Sequence, residues 1–192
     1  MERLAELLQP IGIRWWIAGG HAIELIVGRT LRAHGDIDAV VLRADQEALR
    51  GALDDRDPHI GVDGRLEPWE SGRWLDAPLQ DIWCRDRANG AWRFQVMLVD
   101  TEGGDWMFKR DRSIRRPVEE IGLVAPSGVP YLRPEIQLLY HARPEIESKH
   151  ELDFVAAWAL MDGAACRWLL GVLPRRLAAG HPWLRKNSHE RE

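Results

Sequence analysis

Apolar and polar positions follow a regular pattern through the first forty residues, and the pattern predicts helices and strands in alternation. Leucines at helical spacing predict a helix over residues 2–9. An apolar, β-prone run predicts a strand over residues 13–18, and a second helix follows over residues 21–27. Residues 36–42 then alternate with the period of a strand, so that successive side chains lie on opposite faces.

The middle of the chain changes to short strands and turns. Asp45 is a good N-cap residue, and the apolar positions behind it predict a short helix up to residue 53. Residues 81–85 and 93–99 are the clearest strands, and Asn89-Gly90 between them is a strong signal for a hairpin turn. The charged segment 110–120 is predicted to be a loop with a short extended piece.

Helical spacing returns after Pro130. Three helices are predicted there, over residues 135–142, 147–161 and 164–173. The second of them has an apolar face that we expect to pack on the core, formed by Leu152, Val155, Ala156, Ala159 and Leu160. Residues 181–192 are predicted to form a frayed tail. The sequence therefore divides into an α/β part, 1–125, and a C-terminal helical region, 126–192, joined through residues 125–130.

Composition narrows the classes of function. The chain has 192 residues, of which 45% are hydrophobic and 29% charged, as in ordinary globular proteins. Its net charge of −4 argues against a broad nucleic-acid-binding face. Two cysteines far apart in sequence favour free thiols in a reducing compartment. The chain shows neither an apolar run long enough for a membrane span nor a signal peptide, so we expect a cytoplasmic protein.

Two carboxylates, Asp36 and Asp38, lie on the same face of the predicted strand because they are two residues apart, while Ile37 points into the core. The two negatively charged carboxylates repel each other unless a cation lies between them. Mg²⁺ uses one or two carboxylates and completes its coordination with water and substrate phosphate oxygens. The pair therefore suits metal-assisted phosphoryl transfer, although an isolated Asp-x-Asp is also common on solvated surfaces.

The second chemical signal is Gly19-Gly20, between a predicted strand and a predicted helix. A double glycine lets the backbone approach a ligand closely, and the helix N-terminus favours an anion there. The sequence contains neither the Gly-x-Gly-x-x-Gly pattern of dinucleotide-binding folds nor the Gly-Lys-Ser/Thr of a P-loop, so both of those classes are excluded.

Taken together, these signals are specific. A strand, Gly19-Gly20, a helix and then Asp36-Ile37-Asp38 resembles the polymerase-β-like nucleotidyltransferase superfamily. Within it, the runs Gly19-Gly20-His21-Ala22-Ile23, Gly28-Arg29 and Arg32-Ala33-His34-Gly35-Asp36-Ile37-Asp38 resemble the aminoglycoside 2″-adenylyltransferase branch. The close resemblance covers roughly residues 14–42. It implies an α+β nucleotidyltransferase fold with a mixed sheet flanked by helices, followed by a C-terminal helical part.

The resemblance also implies a mechanism and a set of site residues. Asp36 and Asp38 would hold two Mg²⁺ ions against the triphosphate of ATP or another NTP, and an acceptor hydroxyl would attack the α-phosphorus. The implied nucleotide-binding residues are Gly19, Gly20, His21, Arg29 and Arg32. The two arginines have the alternative role of structural ion pairs.

One part of the expected site is missing. The family uses a third carboxylate on a later strand, which completes the metal site and can take the proton of the acceptor. The corresponding strand here, residues 93–99, carries Gln95 and no acid. Asp100 ends that strand and Asp81 begins the preceding one, and we favour Asp81, because an antiparallel neighbour would place it near Gln95.

The acceptor stays open at this point. A group of acids could attract a cationic aminoglycoside, or could simply be solvated: Asp54, Asp55, Asp57, Glu67, Glu70 and Asp76. Three interpretations remain: an adenylyltransferase acting on a small molecule such as an aminoglycoside, a protein-modifying nucleotidyltransferase of the antitoxin type, and a degenerate nucleotide-binding module without turnover. The missing acid favours the third, and the intact Asp36/Asp38 pair with Gly19-Gly20 favours the first two. The sequence does not predict the oligomeric state.

Overall fold

The computed structural model of the chain describes residues 2–86, 88 and 90–185. Within them the chain forms seven α-helices: α1 (Glu2–Leu8), α2 (Gly19–Val27), α3 (Gln46–Ala52), α4 (Pro134–His141), α5 (Ser148–Trp158), α6 (Gly163–Val172) and α7 (Pro182–Arg185). The same residues form eleven strands: β1 (Trp15–Ile17), β2 (Ile37–Leu42), β3 (Asp57–Val62), β4 (Arg65–Pro68), β5 (Asp81–Arg85), β6 (Phe94–Val99), β7 (Thr101–Glu102), β8 (Asp105–Met107), β9 (Arg115–Pro117), β10 (Gly122–Val124) and β11 (Pro130–Leu132).

Eight of the strands form one mixed sheet, in the order β10-β11-β1-β2-β6-β5-β3-β4, and β7, β8 and β9 form a small second sheet. At the centre of the large sheet, β2 runs antiparallel to β1 and parallel to β6. β5 and β6 pair antiparallel, with Cys84 opposite Phe94, which confirms the predicted hairpin. Asn89 of its predicted turn lies outside the described residues.

Hydrophobic cores cover both faces of the sheet, as the alternation along β2 predicts. Ala39 and Val41 belong to a core that includes residues of α1 and α3. Val40 and Leu42 belong to a second core, built largely from α4, α5 and α6. Because side chains alternate along a strand, Asp38 shares the face of Val40 and points toward the C-terminal helices. The mixed sheet with helices on both faces confirms the predicted α+β fold.

Three local expectations need correction. Gly19 and Gly20 do not separate a strand from a helix but form the first turn of α2 itself. The side chain of Asp45 makes no capping hydrogen bond, since a 3₁₀ turn over Arg43–Asp45 precedes α3. Part of the predicted tail is structured, because α7 follows His181 and buries Trp183. Residues 186–192 of that tail lie outside the described residues.

The predicted buried face of α5 was wrong. Leu152, Val155 and Leu160 are exposed, and the helix instead packs on the core through a face that includes two polar side chains. The residues of that face are His150, Asp153, Phe154 and Ala157. His150 and Asp153 are buried because they meet other polar groups, and a hydrophobic pattern cannot reveal such pairing.

The joint predicted at residues 125–130 is a turn between two strands of the large sheet. β11, on its C-terminal side, pairs parallel with β1 and antiparallel with β10. The helical region therefore begins with a strand of the central sheet, and the division of the chain into parts 1–125 and 126–192 stays a prediction. Among the described residues, no helix is both long and apolar enough to cross a membrane.

Candidate active site

The site begins where β1 passes into α2. Gly19 has a φ of 64°, in the left-handed region that favours glycine. The Ala18 N–H donates to the backbone oxygen of Asp38 at 2.8 Å, which joins this turn to β2. A Cβ on Gly19 would overlap the carboxylate of Asp38. Glycine is therefore required at position 19 for two reasons: the backbone conformation, and the close approach of the Asp38 carboxylate.

Asp36 lies immediately before β2 and Asp38 is the second residue of that strand. Both line a cavity of about 460 Å³, with Gly19 at the same wall. Burial raises the pKa of Asp38 to about 6, and the charge of Asp36 adds to the rise. The structure thus brings together the two carboxylates and the glycine turn.

Two residues are candidates for the third carboxylate, because Asp81 and Asp100 both line the cavity. Asp100 is engaged by Arg43, whose Nε donates to Asp100 Oδ1 at 2.5 Å. Asp81 instead accepts from amides: Gln95 Nε2 donates to Asp81 Oδ1 at 3.2 Å, and Gln80 Nε2 donates at 3.4 Å. Gln95 lies directly beside Asp38 in the parallel pairing of β6 with β2. The arrangement that suggested Asp81, next to Gln95, is the one observed.

Another part of the cavity lining comes from α4, α5 and the segment between them, with Lys109 and Arg110 beyond β8. The polar residues on this side are Lys109, Arg110, Gln137, His141, Arg143, Lys149 and His150. Lys149 Nζ lies 3.0 Å from Glu147 Oε2, and its charge helps to oppose the rise in the pKa of Asp38. Sequence analysis did not identify this wall, because its residues are dispersed and carry no motif.

A buried chain of polar groups links this wall to the glycine turn. The Gly19 N–H donates to Gln137 Oε1 at 2.9 Å, so the other end of that amide donates to His141 Nε2, also at 2.9 Å. The opposite ring nitrogen, His141 Nδ1, faces Asp153 Oδ2 at 3.6 Å. Burial, with the adjacent His150, holds the pKa of His141 well below its ordinary value. A neutral imidazole is the form that these contacts require.

The loop between α2 and β2 is held by Glu24. Its Oε1 accepts from the Leu31 and Arg32 backbone N–H groups at 2.7 and 3.2 Å, and lies 2.9 Å from His34 Nε2. Arg32 Nη1 lies 3.0 Å from His34 Nδ1, and Arg32 Nη2 reaches Asp153 Oδ2 at 3.4 Å. In this structure Arg32 therefore forms internal contacts between the loop and α5.

The remaining sequence-predicted residues are placed as follows. Gly20 sits against Arg32 and His34, with which a Cβ would overlap. His21 lines a second, smaller cavity, which it shares with Asp36, and its ring centre lies 4.0 Å from that of His34. Arg29 is exposed and does not line the cavity of Asp36 and Asp38. None of the six acids considered for a cationic acceptor lines that cavity either.

The donor set fits Mg²⁺. Asp36 and Asp38 both offer hard oxygen ligands to the cavity. The pKa of Asp38 is raised mainly by burial and further by the charge of Asp36, and a bound cation would offset both effects. The open cavity leaves room for the phosphate oxygens that Mg²⁺ usually also binds.

Comparison with known proteins identifies the family. The family model described as aminoglycoside-2″-adenylyltransferase matches residues 1–154. The chain belongs to this family. Membership confirms the resemblance drawn from residues 14–42, and with it the prediction of a nucleotidyltransferase enzyme.

Solved structures of adenylyltransferases share the fold. The lincomycin-bound lincosamide antibiotic adenylyltransferase LnuA superposes with a TM-score of 0.58 at 14% identity, over 83% of this chain and 95% of that one. ANT(2″)-Ia in complex with adenylyl-2″-tobramycin superposes with a TM-score of 0.57 at 14% identity, over 91% and 95%. At these identities the likeness concerns the fold. No curated protein gives a significant sequence match to the chain.

Proposed function

We propose that this adenylyltransferase-family protein transfers AMP from ATP to a hydroxyl group of a small-molecule acceptor, in a reaction that depends on Mg²⁺. The observation that carries the proposal is the close fit of the Gly19 turn against Asp38. The N-terminus of α2, which favours anions, therefore lies beside carboxylates suited to bind Mg²⁺. Family membership supports ATP as the donor, since the family is named for adenylyl transfer.

The residues of the chain would divide the work between binding and proton transfer. The first turn of α2 and Lys149, which meet at the same cavity, would hold the triphosphate, and Asp36 and Asp38 would hold Mg²⁺. Mg²⁺ supplies neutralisation of the charge on the triphosphate and on the departing pyrophosphate. The acceptor oxygen forms a bond to the α-phosphorus. The bond between the α-phosphorus and the oxygen that bridges the α- and β-phosphates breaks, and pyrophosphate leaves. Asp81 takes the proton of the hydroxyl.

Asp81 is assigned as the base in preference to Asp100 for a physical reason. The charge of Asp100 is neutralised by Arg43, whose Nη1 is in turn held by the Leu75 and Leu79 carbonyls at 2.9 and 2.6 Å. A carboxylate held in such an ion pair is not free to turn toward an acceptor. Among the described residues Asp81 accepts hydrogen bonds only from the side-chain amides of Gln80 and Gln95, so it can turn toward an acceptor hydroxyl.

The test incubates the full chain with Mg²⁺ and α-³²P-ATP, with aminoglycosides, lincomycin or a cell lysate as sources of acceptor. We expect label on a small molecule and pyrophosphate in equal amount. Asp36→Asn and Asp38→Asn should each abolish transfer, since catalysis of phosphoryl transfer rests on positioning and charge neutralisation. Asp55→Asn, at an exposed acid outside the cavity, is the matched control.

Other outcomes point to the other interpretations. Label on a polypeptide would mean a protein-modifying enzyme. Binding of ATP without transfer to any acceptor would mean a module that has lost turnover. Full activity in both the Asp36 and Asp38 variants would refute the assignment of the metal site.

A further inference from the structure

A groove continues from the cavity along β3, β4 and β5. Asp81 and Gln95 line both the cavity and the groove, so the proposed base lies at the junction between them. Gly19 and Lys149, which are proposed to hold the triphosphate, line only the cavity. An acceptor that presents a hydroxyl to Asp81 from the side away from the nucleotide would therefore have its remaining atoms in this groove.

Trp83 lines the groove next to Asp81. The two residues are two positions apart on β5, so their side chains lie on the same face of the sheet, about 7 Å apart along the strand. Trp83 is directly opposite Gln95, which in turn lies beside Asp38. These pairings place Trp83 two strand spacings, or about 10 Å, from the backbone of Asp38. A six-membered ring over the indole would therefore be within reach of both acids.

The indole of Trp83 is only half-buried and belongs to neither hydrophobic core. Its neighbours Ile82 and Cys84 point to the other face of the sheet and are fully buried there. Among the described residues, the ring contact of Trp83 is an edge contact with Trp92, with ring centres 6.4 Å apart and planes at 69°. Part of a large apolar ring system is therefore available to a ligand in the groove.

Polar groups line the same groove. The backbone turns from β3 to β4 through Asp63 and Gly64, whose φ values of 47° and 78° are those of a tight two-residue hairpin turn. The charged lining residues are Asp63, Arg65 and Asp81, so the charges balance apart from the proposed base, and Gln95 adds an amide. An aromatic ligand on the indole would shield these groups from water without replacing their hydrogen bonds, whereas the hydroxyl groups of a sugar would replace them.

We propose that this groove is the acceptor subsite, and that the acceptor is a pyranoside whose bound ring carries no ionised group. The C–H face of the six-membered ring packs on the indole of Trp83, and one ring hydroxyl faces Asp81. This inference rests on the proposed function and specifies its substrate class. Trp83 is the specificity-determining residue, because burial of an apolar ring face rather than ion pairing carries the binding.

The experiment measures sugar binding after the nucleotide is in place. The full chain is saturated with Mg²⁺ and α,β-methylene-ATP, which cannot transfer AMP. The probes are the methyl α-D-pyranosides of glucose, galactose and mannose, the 2-amino-2-deoxy analogue of the first, D-glucitol as an open-chain polyol, and benzyl alcohol. The indole N–H of Trp83 is followed by ¹⁵N–¹H NMR, and its signal is identified by its loss in Trp83→Phe.

We expect at least one of the three neutral pyranosides to shift the Trp83 signal saturably. That pyranoside should bind about tenfold more tightly than glucitol, which has hydroxyl groups but no ring face to bury. Failure of all three to bind would overturn the inference. Tighter binding of glucitol, of benzyl alcohol or of the amino sugar would overturn it as well.

Substitutions at Trp83 locate the effect, with affinity measured by saturation transfer to the methyl signal of the sugar. Trp83→Ala should weaken the best pyranoside about tenfold, and Trp83→Phe, which keeps a ring face, should restore most of the affinity. Trp74→Ala is the matched control, because that indole is 44% exposed and lines neither the cavity nor the groove. If Trp83→Ala weakens the nucleotide analogue as much as the pyranoside, the indole serves the nucleotide and the inference is wrong.

The proposed function and the acceptor subsite can fail separately. Failure of the nucleotide analogue to bind at all would overturn the proposed function, and the acceptor subsite with it. Nucleotide binding without pyranoside binding at Trp83 would overturn the acceptor subsite alone.

Discussion

Replacing Gly19 with alanine should damage the active site beyond its effect on stability. The φ of Gly19 is 64°, where a residue with a Cβ costs about 1–2 kcal/mol. The new Cβ would also overlap the carboxylate of Asp38, whose own Cβ lies 3.1 Å away and blocks an easy rotation. Asp38 must therefore move, and displacement of a catalytic group by about 1 Å can cost about 10²-fold in rate.

Gly28→Ala is the matched control for the backbone cost. Gly28 has a φ of 76°, and no heavy atom lies within 4 Å of the Cβ that alanine would add. Both variants should lose about 1–2 kcal/mol of unfolding free energy in urea from the left-handed conformation. Gly19→Ala should lose more than this, together with most of its pyrophosphate release, whereas Gly28→Ala should keep its activity. Equal activity in the two variants would refute the argument that Gly19 is needed for the position of Asp38.

Three further predictions concern the groups around the cavity. Asp81→Asn should reduce AMP transfer about 10²–10⁴-fold without loss of stability, because it removes the base. Asp100→Asn should instead lower the free energy of unfolding, because it breaks the ion pair with Arg43. The reverse pattern would assign the base to Asp100. The pKa of His141 is lowered in the folded state, so below about pH 6.5 the unfolded state binds the proton first and stability falls, by at most about 1.4 kcal/mol per pH unit. His141→Gln should flatten this slope in urea titrations between pH 7 and 5, and an unchanged slope would contradict the neutral imidazole. Glu24→Ala leaves loop donors unsatisfied and should cost about 1–3 kcal/mol, whereas Glu47→Ala, at an exposed residue of α3, should cost little.

The grouping of Gly19, Asp36 and Asp38 around one cavity could be predicted because these residues are close in sequence, and their roles in binding metal and phosphate stay a prediction. The two-residue period of a strand fixes Asp36 and Asp38 on one face. Only one helix and a loop separate them from Gly19 in the sequence. The choice of Asp81 followed from the antiparallel hairpin alone. In each case local periodicity carried the information.

The other half of the site could not be predicted, because it depends on how distant segments pack. Lys109 and Lys149 are separated by forty residues in sequence, and neither belongs to a periodic pattern. The error on α5 has the same origin: Leu152 and Val155 fit a buried face, yet Asp153 is the buried residue because Arg32 lies against it. Pairing of buried charges is a tertiary property.

The hydrogen bond from Gly19 to Gln137 has a consequence for any attempt to divide the protein. A fragment that ends at residue 125 keeps every residue of the Gly-Gly and Asp-x-Asp motifs, but it loses the amide that receives the Gly19 N–H and the β11 strand beside β1. Its glycine turn would have an unsatisfied donor next to Asp38. Co-expressed fragments split after residue 125 should therefore regain activity only by reassociation, because the later region supplies the partner of the Gly19 N–H.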